Sequence, residues 1–130
     1  MNPQAALGQY QSVDQQGRIA ASQNHGLVSL LLDRVLERLA QASGAIERGE
    51  IAASGTALSD AIQIVDNLRA SLDSAKGGEI ASSLRSLYDY IEYRLAIANS
   101  KSDREILTEV SGLISEIKEG WDGISEAVQK

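Results

Sequence analysis

The sequence predicts an all-α fold: an antiparallel up-down-up-down four-helix bundle preceded by a flexible N-terminal segment. Four long stretches place apolar residues every three or four positions, which is the pattern of a helix that buries one face. The only proline is Pro3, so no later stretch has to break at a proline. No β-strand pattern competes with the helical one. Helices joined by short connections pack as antiparallel neighbours.

The composition indicates one domain with an aliphatic core. The chain has 130 residues, of which 43% are hydrophobic and only 4% aromatic. Cysteine is absent, which excludes disulfides and thiolate metal sites. A formal net charge of −6 argues against nucleic acid as a partner. The sequence shows neither a secretory signal pattern nor an apolar run long enough for a membrane span. We therefore expect a cytosolic protein that does not insert into membranes and that binds other proteins.

Residues 1–23 are rich in Gln, Ala, Ser and Gly and show no sustained period. This composition predicts a flexible segment with one short helical turn at most, and it places the bundle over residues 24–130. Apolar residues such as Leu7 and Tyr10 leave two interpretations open. The segment is either an unstructured tail or a tail that covers an apolar surface when no partner occupies it.

The first helix is predicted from Asn24, a favourable N-cap residue, to Gly49, which suits a C-terminal cap. Leu27 and Leu30 lie off its apolar stripe, which indicates a second contact with the tail or with another protein. The stripe itself consists of Val28, Leu31, Leu32, Val35, Leu39, Ala42 and Ile46.

The second helix is predicted to follow Glu50 and to run to about Ala75. Ile62 and Ile64 flank its stripe on opposite sides, so Ile64 belongs either to the core or to an external groove. The stripe consists of Leu58, Ala61, Val65, Leu68, Leu72 and Ala75.

The third helix is predicted to begin after a turn at residues 77–78, with Glu79 favourably placed in its first turn. Tyr88 and Tyr90 fall on the two sides of its stripe, and Tyr93 points outward. The stripe consists of Ile80, Leu84, Leu87, Ile91, Leu95 and Ala98.

The fourth helix is predicted to follow a connection at residues 99–101. Ser102 and Glu105 have the spacing of a capping box, with Ser102 as N-cap. Trp121 is expected in the core or at the base of the bundle, with its indole N–H near the surface. The stripe consists of Ile106, Val110, Leu113, Ile117, Trp121, Ile124 and Val128, broadened by Leu107 and Ile114.

The residues do not indicate an enzyme, a cofactor or a metal site. His25 is the only histidine, and it lacks the Glu-x-x-His spacing of di-iron bundles. Asp89 and Glu92 share a helix face that is expected to be a charged, solvated one. The surplus of apolar surface favours a module that binds an amphipathic helix in a groove.

Short motifs occur in order along nearly the whole chain: Q-Y-Q at 9–11, L-V-S-L-L-L-D at 27–33, K-G-G-E-I-A at 76–81, L-Y-D-Y-I at 87–91, R-L-A-I-A-N at 94–99, Asp103, E-V at 109–110 and G-W at 120–121. In this order and spacing they resemble the flagellar secretion chaperone family FliS. The sequence departs from many members before the first helix, where it has Gln23-Asn24 instead of a residue followed by proline.

The resemblance implies a helical bundle that acts as a cytosolic chaperone without ATPase activity. Such a chaperone binds the disordered C-terminal segment of flagellin in apolar grooves, prevents premature polymerisation and delivers flagellin to the flagellar type III secretion apparatus. The N-terminal tail can occupy part of the same surface beforehand. The flagellar export gate and an anti-sigma factor remain open as further partners.

The resemblance also supplies candidate partner-binding residues, among which sequence does not separate core from groove. The tail contributes Leu7 and Tyr10. The third helix contributes Tyr88, Tyr90, Leu95 and Asn99, and the groove candidates are Ile64, Leu68, Leu72, Val110 and Leu113.

A different class of function stays open beside this one. The chain is then a structural homodimer or scaffold bundle without a client, and its excess apolar surface is buried against a second copy.

Overall fold

The computed structural model of the protein describes residues 25–72 and 74–128. These residues form four helices, and no strand occurs among them. The all-α prediction is therefore confirmed. The predicted flexible tail and the predicted N-cap Asn24 lie outside the described residues. The helices are α1 (His25–Glu47), α2 (Ile51–Ala70), α3 (Ser74–Lys101) and α4 (Arg104–Val128).

The four helices enclose one core. Helices α1 and α3 each pack against both α2 and α4. His25 at the start of α1 contacts Trp121 near the end of α4, and Arg104 at the start of α4 pairs with Glu47 at the end of α1. Helices α1 and α4 are therefore antiparallel. The up-down order of the whole bundle stays a prediction.

Most of the apolar stripe residues whose burial is described lie in the core, and Leu31, Ile46 and Leu113 are partly buried against it. Trp121 is 2% exposed and therefore lies in the core, one of the two places predicted for it. Burying each large apolar side chain is worth roughly 1.5–3 kcal/mol, so these stripes stabilise the bundle more than any polar contact. The stripe of α3 is at most 2% exposed throughout, at Ile80, Leu84, Leu87, Ile91, Leu95 and Ala98.

Helix α1 ends as the sequence predicts, at a glycine. Gly49 has φ +75°, a left-handed conformation that glycine adopts without a steric penalty. The amide of Glu50 donates to the carbonyl of Ala45 at 2.8 Å, and the amide of Gly49 donates to that of Ile46 at 3.0 Å. This pair of bonds is the Schellman motif, which satisfies carbonyls at the helix end.

The end of α2 was predicted too late. The helix ends at Ala70, although Leu72 beyond it is still buried. Leu72 packs into the core although it lies beyond the helix. The spacing of apolar residues therefore continues past the last helical residue. The hydroxyl of Ser71 also donates to the Leu68 carbonyl at 2.9 Å, a local bond that competes with helix continuation.

The turn predicted before the third helix falls at one residue. Gly78 has φ 56° and ψ −132°, which interrupts α3 and separates its first residues from the regular helix that begins at Glu79. A side chain at Gly78 would strain this conformation. Gly78 thus produces a kink within α3.

The predicted connection at residues 99–101 is wrong, because α3 continues to Lys101. Ser102 takes a left-handed conformation with φ 51°, and the amide of Asp103 donates back to the Ala98 carbonyl at 3.1 Å. This is the same type of helix end as at Gly49, here built on a serine.

The predicted capping box is also wrong, because Asp103 and not Ser102 caps α4. The Asp103 carboxylate accepts from the amides of Glu105 at 3.0 Å and of Ile106 at 3.4 Å. The physical reason is the length of the connection. Only two residues separate the helices, so Ser102 must reverse the chain and the N-cap position passes to its neighbour.

Candidate functional site

The candidate partner-binding residues divide into three groups by location. Leu7 and Tyr10 lie outside the described residues. A second group is buried in the bundle: Leu68, Leu72, Tyr88, Leu95 and Val110, each at most 7% exposed. A third group reaches the surface and consists of Ile64, Tyr90, Asn99 and Leu113.

The residues of the third group do not form one patch. Ile64 lies on the side of α2 that faces α1, whereas Tyr90 lies where α3 meets α4. Leu113 of α4 is partly buried and packs against the core. Asn99 lies beside Gly55 of α2, with its Oδ1 atom 3.8 Å from the position of a Cβ on that glycine. The surface candidates are therefore distributed over different helix contacts around the bundle.

The first of these surfaces is the α3–α4 cleft, a cavity of about 460 Å³. The Tyr90 hydroxyl donates to Oε2 of Glu109 at 2.5 Å, and Arg94 Nε donates to Oε1 of the same carboxylate at 2.9 Å. Apolar side chains lie beside this charged pair. The cleft is lined by Arg94, Ile97, Lys101, Asp103, Glu105, Ile106 and Glu109.

The electrostatics of the cleft centre on Glu109. Partial burial raises the pKa of its carboxyl, but the hydrogen bonds from Tyr90 and Arg94 and the charge of Arg94 outweigh burial and leave that pKa below its usual value. The hydrogen bond to Glu109 is the main cause that raises the pKa of Tyr90. Glu109 is thus ionised and Tyr90 protonated at neutral pH.

The second surface is the α1–α2 groove, a cavity of about 230 Å³. It combines two guanidinium groups with an apolar side chain, because Arg34 and Arg38 of α1 lie opposite Ile64 of α2. Asp60 and Gln63 complete its lining. Leu27 and Leu30, which are 51% and 54% exposed, continue the same side of α1 toward its start.

The third surface is the α1–α4 groove, a cavity of about 320 Å³. It carries no charged side chain in its lining, unlike the other two. Its walls are small and aliphatic: Leu36, Leu39, Ala40, Ser43, Leu107, Thr108 and Ser111. An apolar side chain from a partner would fit this groove by shape rather than by charge.

The α1–α4 contact is closed at one end by a reciprocal clasp between His25 and Trp121. His25 Nε2 donates to the Trp121 carbonyl at 2.7 Å, and Trp121 Nε1 donates to the His25 carbonyl at 2.9 Å. The two rings stack with centroids 4.8 Å apart. Sequence reasoning excluded His25 as a ligand but had no signal for this clasp, because its members are far apart in the chain.

Polar contacts extend the clasp along the two helices. The Ser29 hydroxyl donates to Asp122 at 2.7 Å, and Lys118 pairs with Asp122 at 2.7 Å and with Asp33 at 3.5 Å. Partial burial raises the pKa of the Asp122 carboxyl, but the bonds from Lys118 and Ser29 outweigh it and leave the pKa lowered. This end of the bundle is held by charge as well as by packing.

A charged cluster on the α2–α3 contact also escaped sequence reasoning. Arg69 lies 2.7 Å from Asp66, 3.4 Å from Asp89 and 3.3 Å from Glu92. Partial burial, followed by the charge of Asp66, raises the pKa of Glu92. Asp89 and Glu92 were predicted to share a charged, solvated face of α3. At Glu92 this face instead contacts α2, because the Glu92 side chain pairs with Arg69 and is only 20% exposed.

Two further kinds of site are absent from the part of the chain that the structure describes. Within residues 25–72 and 74–128, no group of three or more His, Asp or Glu side chains could hold a metal ion. In the same ranges, no helix has both the length and the apolar character needed to cross a bilayer. The described residues instead form three surface cavities, in each of which at least one apolar side chain takes part in the lining.

Comparison with known proteins identifies the family. The family model described as flagellar protein FliS matches residues 6–128, which is most of the chain. The chain belongs to the FliS family. The resemblance seen in the short sequence motifs is therefore confirmed, and the match includes Leu7 and Tyr10 as well as the bundle.

The chain aligns with individual FliS relatives over most of their length. The chain is 47% identical to a flagellar secretion chaperone FliSB of Pseudomonas aeruginosa, over 92% of this chain and 95% of the relative. It is 43% identical to a flagellar secretion chaperone FliS of Salmonella typhimurium, over 89% and 87% respectively. A FliS of Vibrio cholerae is 35% identical, over 92% of this chain and 88% of the relative.

Proposed function

We propose that the chain is a cytosolic export chaperone for flagellin. It binds the disordered C-terminal segment of flagellin in apolar grooves, prevents premature polymerisation and delivers the subunit to the flagellar type III secretion apparatus. The observation that carries this proposal is the FliS family match over residues 6–128. The flagellar export gate and an anti-sigma factor are further partners in the proposal.

The grooves give the proposal a physical basis. Each helix contact that carries a cavity presents apolar side chains that the bundle covers only in part, such as Ile64, Ile97 and Leu36. A segment that folds as an amphipathic helix buries its apolar face in such a groove. Coupled folding typically buries about 1,000–3,000 Å² and loses about 2–5 kcal/mol to ordering, so binding remains reversible without a nucleotide.

The candidate residues take different parts in this proposal. Ile64, Tyr90, Asn99 and Leu113 contact the client directly, because their side chains reach the surface. The buried group (Leu68, Leu72, Tyr88, Leu95 and Val110) contributes by forming the floor and walls that hold these side chains in place. Leu7 and Tyr10 occupy part of the client surface before the client binds.

The proposal includes no catalytic step. His25, the only histidine in the sequence, is engaged in the clasp with Trp121. The Tyr90 phenol is protonated and donates to the ionised Glu109 carboxylate. This hydrogen bond joins α3 to α4 and is structural in the proposal. The work of the chaperone is binding and release.

Isothermal titration of the full chain with a C-terminal flagellin peptide of its own organism tests the proposal. We expect one-to-one binding with a negative heat-capacity change, because apolar surface is buried. Ile64→Ser should weaken binding about tenfold, because Ile64 lines the α1–α2 groove and the change removes roughly one to two methylene groups that the client buries. Ile51→Ser is the control, because Ile51 is 56% exposed and lies outside the three cavities.

Absence of binding by the folded wild type would contradict the chaperone proposal. The rival function, a homodimer or scaffold without a client, is favoured by the exposed Leu27 and Leu30. Sedimentation velocity at micromolar concentration separates the two. A stable dimer that does not take up the flagellin peptide would support the rival.

A further inference from the structure

The α1–α2 groove carries positive charge on a protein whose net charge is −6. Arg34 and Arg38 lie one turn apart on the side of α1 that faces α2. Asp60 is the only carboxylate in the lining of this groove. Leu27 and Leu30 extend the same side of α1 with exposed apolar surface. The groove therefore presents an apolar half and a cationic half side by side.

The two arginines are incompletely paired among the described residues. Arg34 is exposed and forms no ion pair with any residue of 25–72 or 74–128. Arg38 Nε lies 3.6 Å from Asp60, within ion-pair distance but too far for a hydrogen bond, and this buried nitrogen has no hydrogen-bond partner. Arg38 Nη1 donates to Gln41 at 3.1 Å. Arg34 differs in this from most cations of the described residues, which lie within ion-pair distance of a carboxylate: Arg38, Arg48, Arg69, Arg94, Arg104 and Lys118.

We propose that the α1–α2 groove binds a client segment that folds as an acidic amphipathic helix. Its apolar side chains lie over Leu27, Leu30 and Ile64, and its carboxylates pair with Arg34 and Arg38. Guanidinium and carboxylate groups match in planar geometry, and their charge-assisted bonds are about twice as strong as neutral ones. This inference rests on the proposed function and adds charge as a criterion by which the client is selected.

The tail of the chain itself fits this groove less well. Residues 1–24 contain one carboxylate side chain, Asp14, and one arginine, Arg18. The tail therefore brings no surplus of negative charge to the two guanidinium groups. A client segment with several carboxylates offers the better complement.

A second copy of the chain fits the groove less well than a client. In a two-fold symmetric contact the same surface meets itself, so the cationic groove of one copy would face that of the other. Like charges placed opposite each other oppose such a contact. Charge complementarity therefore favours an acidic partner of different sequence.

A pair of synthetic peptides tests the inference on the full chain. Both carry leucines at the same helical spacing, and one has glutamates and the other lysines on its polar face. By fluorescence anisotropy, we expect the wild type to bind the glutamate peptide about tenfold more tightly. Attraction by net charge alone predicts the reverse preference, because the chain is acidic.

Reversing the charge of Arg34 tests whether the α1–α2 groove causes the preference for the glutamate peptide. Arg34→Glu should invert it, so that the lysine peptide binds more tightly. Arg48→Glu is the matched control, because Arg48 lies at the other end of α1 and outside the groove. It changes the net charge equally and should leave the preference intact. Circular dichroism verifies that both variants keep their helicity.

Apart from the flagellin titration, three outcomes overturn the inference: a wild-type preference for the lysine peptide, equal effects of the two reversals, or a dimer at the same concentration that Arg34→Glu abolishes. The flagellin titration tests the proposed function independently of the peptide experiment. Flagellin binding that Arg34→Glu leaves unchanged overturns the groove assignment and leaves the proposed function in place. Inverted peptide preference without flagellin binding supports the groove and rejects flagellin as the client.

Discussion

Tyr88 is buried within α3, with 3% of its side chain exposed, and burial raises the pKa of its hydroxyl. The cause is desolvation, which disfavours the charged phenolate in the folded protein. The unfolded chain exposes the same group to water. At alkaline pH the unfolded chain therefore loses a proton that the folded chain retains.

This difference predicts the alkaline stability of the protein. Below about pH 10 both states hold the proton, and above it the free energy of unfolding should fall by about 1.4 kcal/mol per pH unit through Tyr88. Tyr88→Phe removes this dependence. Urea unfolding at pH 8 and near pH 11 measures it, with Tyr93→Phe as control because Tyr93 is 65% exposed. Equal alkaline losses in wild type and Tyr88→Phe would speak against this account.

At the scale of helices, two of the helix ends use the same backbone conformation with different residues. Gly49 ends α1 with φ +75°, and Ser102 ends α3 with φ 51°. Glycine has no Cβ and tolerates this region, whereas other L residues are penalised there by roughly 1–2 kcal/mol. The end of α3 is therefore less favourable than the end of α1.

Exchanging residue types at these two ends should change stability in opposite directions. Gly49→Ala should lower the free energy of unfolding by about 1 kcal/mol, although no atom lies within 4 Å of the new Cβ. Ser102→Gly should raise it, by at most about 1 kcal/mol. Urea unfolding measures both.

Gly112→Ala provides the control for that pair. Gly112 lies in α4 with equally open space around its Cβ, but its conformation is helical. Alanine should therefore stabilise the protein there by about 0.5–1 kcal/mol. A loss of stability at Gly112 would show that the effect at Gly49 does not come from its backbone conformation.

At the scale of the whole molecule, polar contacts hold α1 to α4 at both ends of the bundle. The clasp of His25 and Trp121 closes one end. At the other end, Arg104 pairs with Glu47 at 3.2 Å and donates to the hydroxyl of Ser43 at 3.0 Å. These contacts join the first and last helices and complete the ring of packed helices.

A double-mutant cycle measures how strongly the clasp couples the two helices. Because each side chain bonds the carbonyl of the other residue, His25→Ala and Trp121→Phe should each destabilise the protein by about 1–3 kcal/mol. Both acceptors are backbone carbonyls that remain in the variants, so the coupling energy reports the contact between the two rings and should be at most about 0.5–1.5 kcal/mol. Urea unfolding of both single variants and the double variant gives this energy. Additive effects would mean that the two residues stabilise the bundle independently.

For the described residues, the spacing of apolar residues alone predicted four helices and the face that each of them buries. The period of the apolar residues depends only on helix geometry, so the stripe of α3 and the orientations of Tyr88, Tyr90 and Tyr93 could be read directly. Helix ends were less predictable. The errors at Leu72 and Ser102 arose because the apolar pattern and the capping motif were compatible with more than one boundary.

The packing of the helices against one another sets which apolar residues are enclosed and which polar groups meet, and neither could be predicted from the sequence. Leu95 and Val110 are fully buried, whereas Ile64 remains at the edge of a groove, although all three follow helical patterns in the sequence. The enclosed fraction depends on how far each helix is rotated toward its neighbours. The meeting of His25 with Trp121 depends on how the first and last helices are offset, and local sequence does not encode that offset.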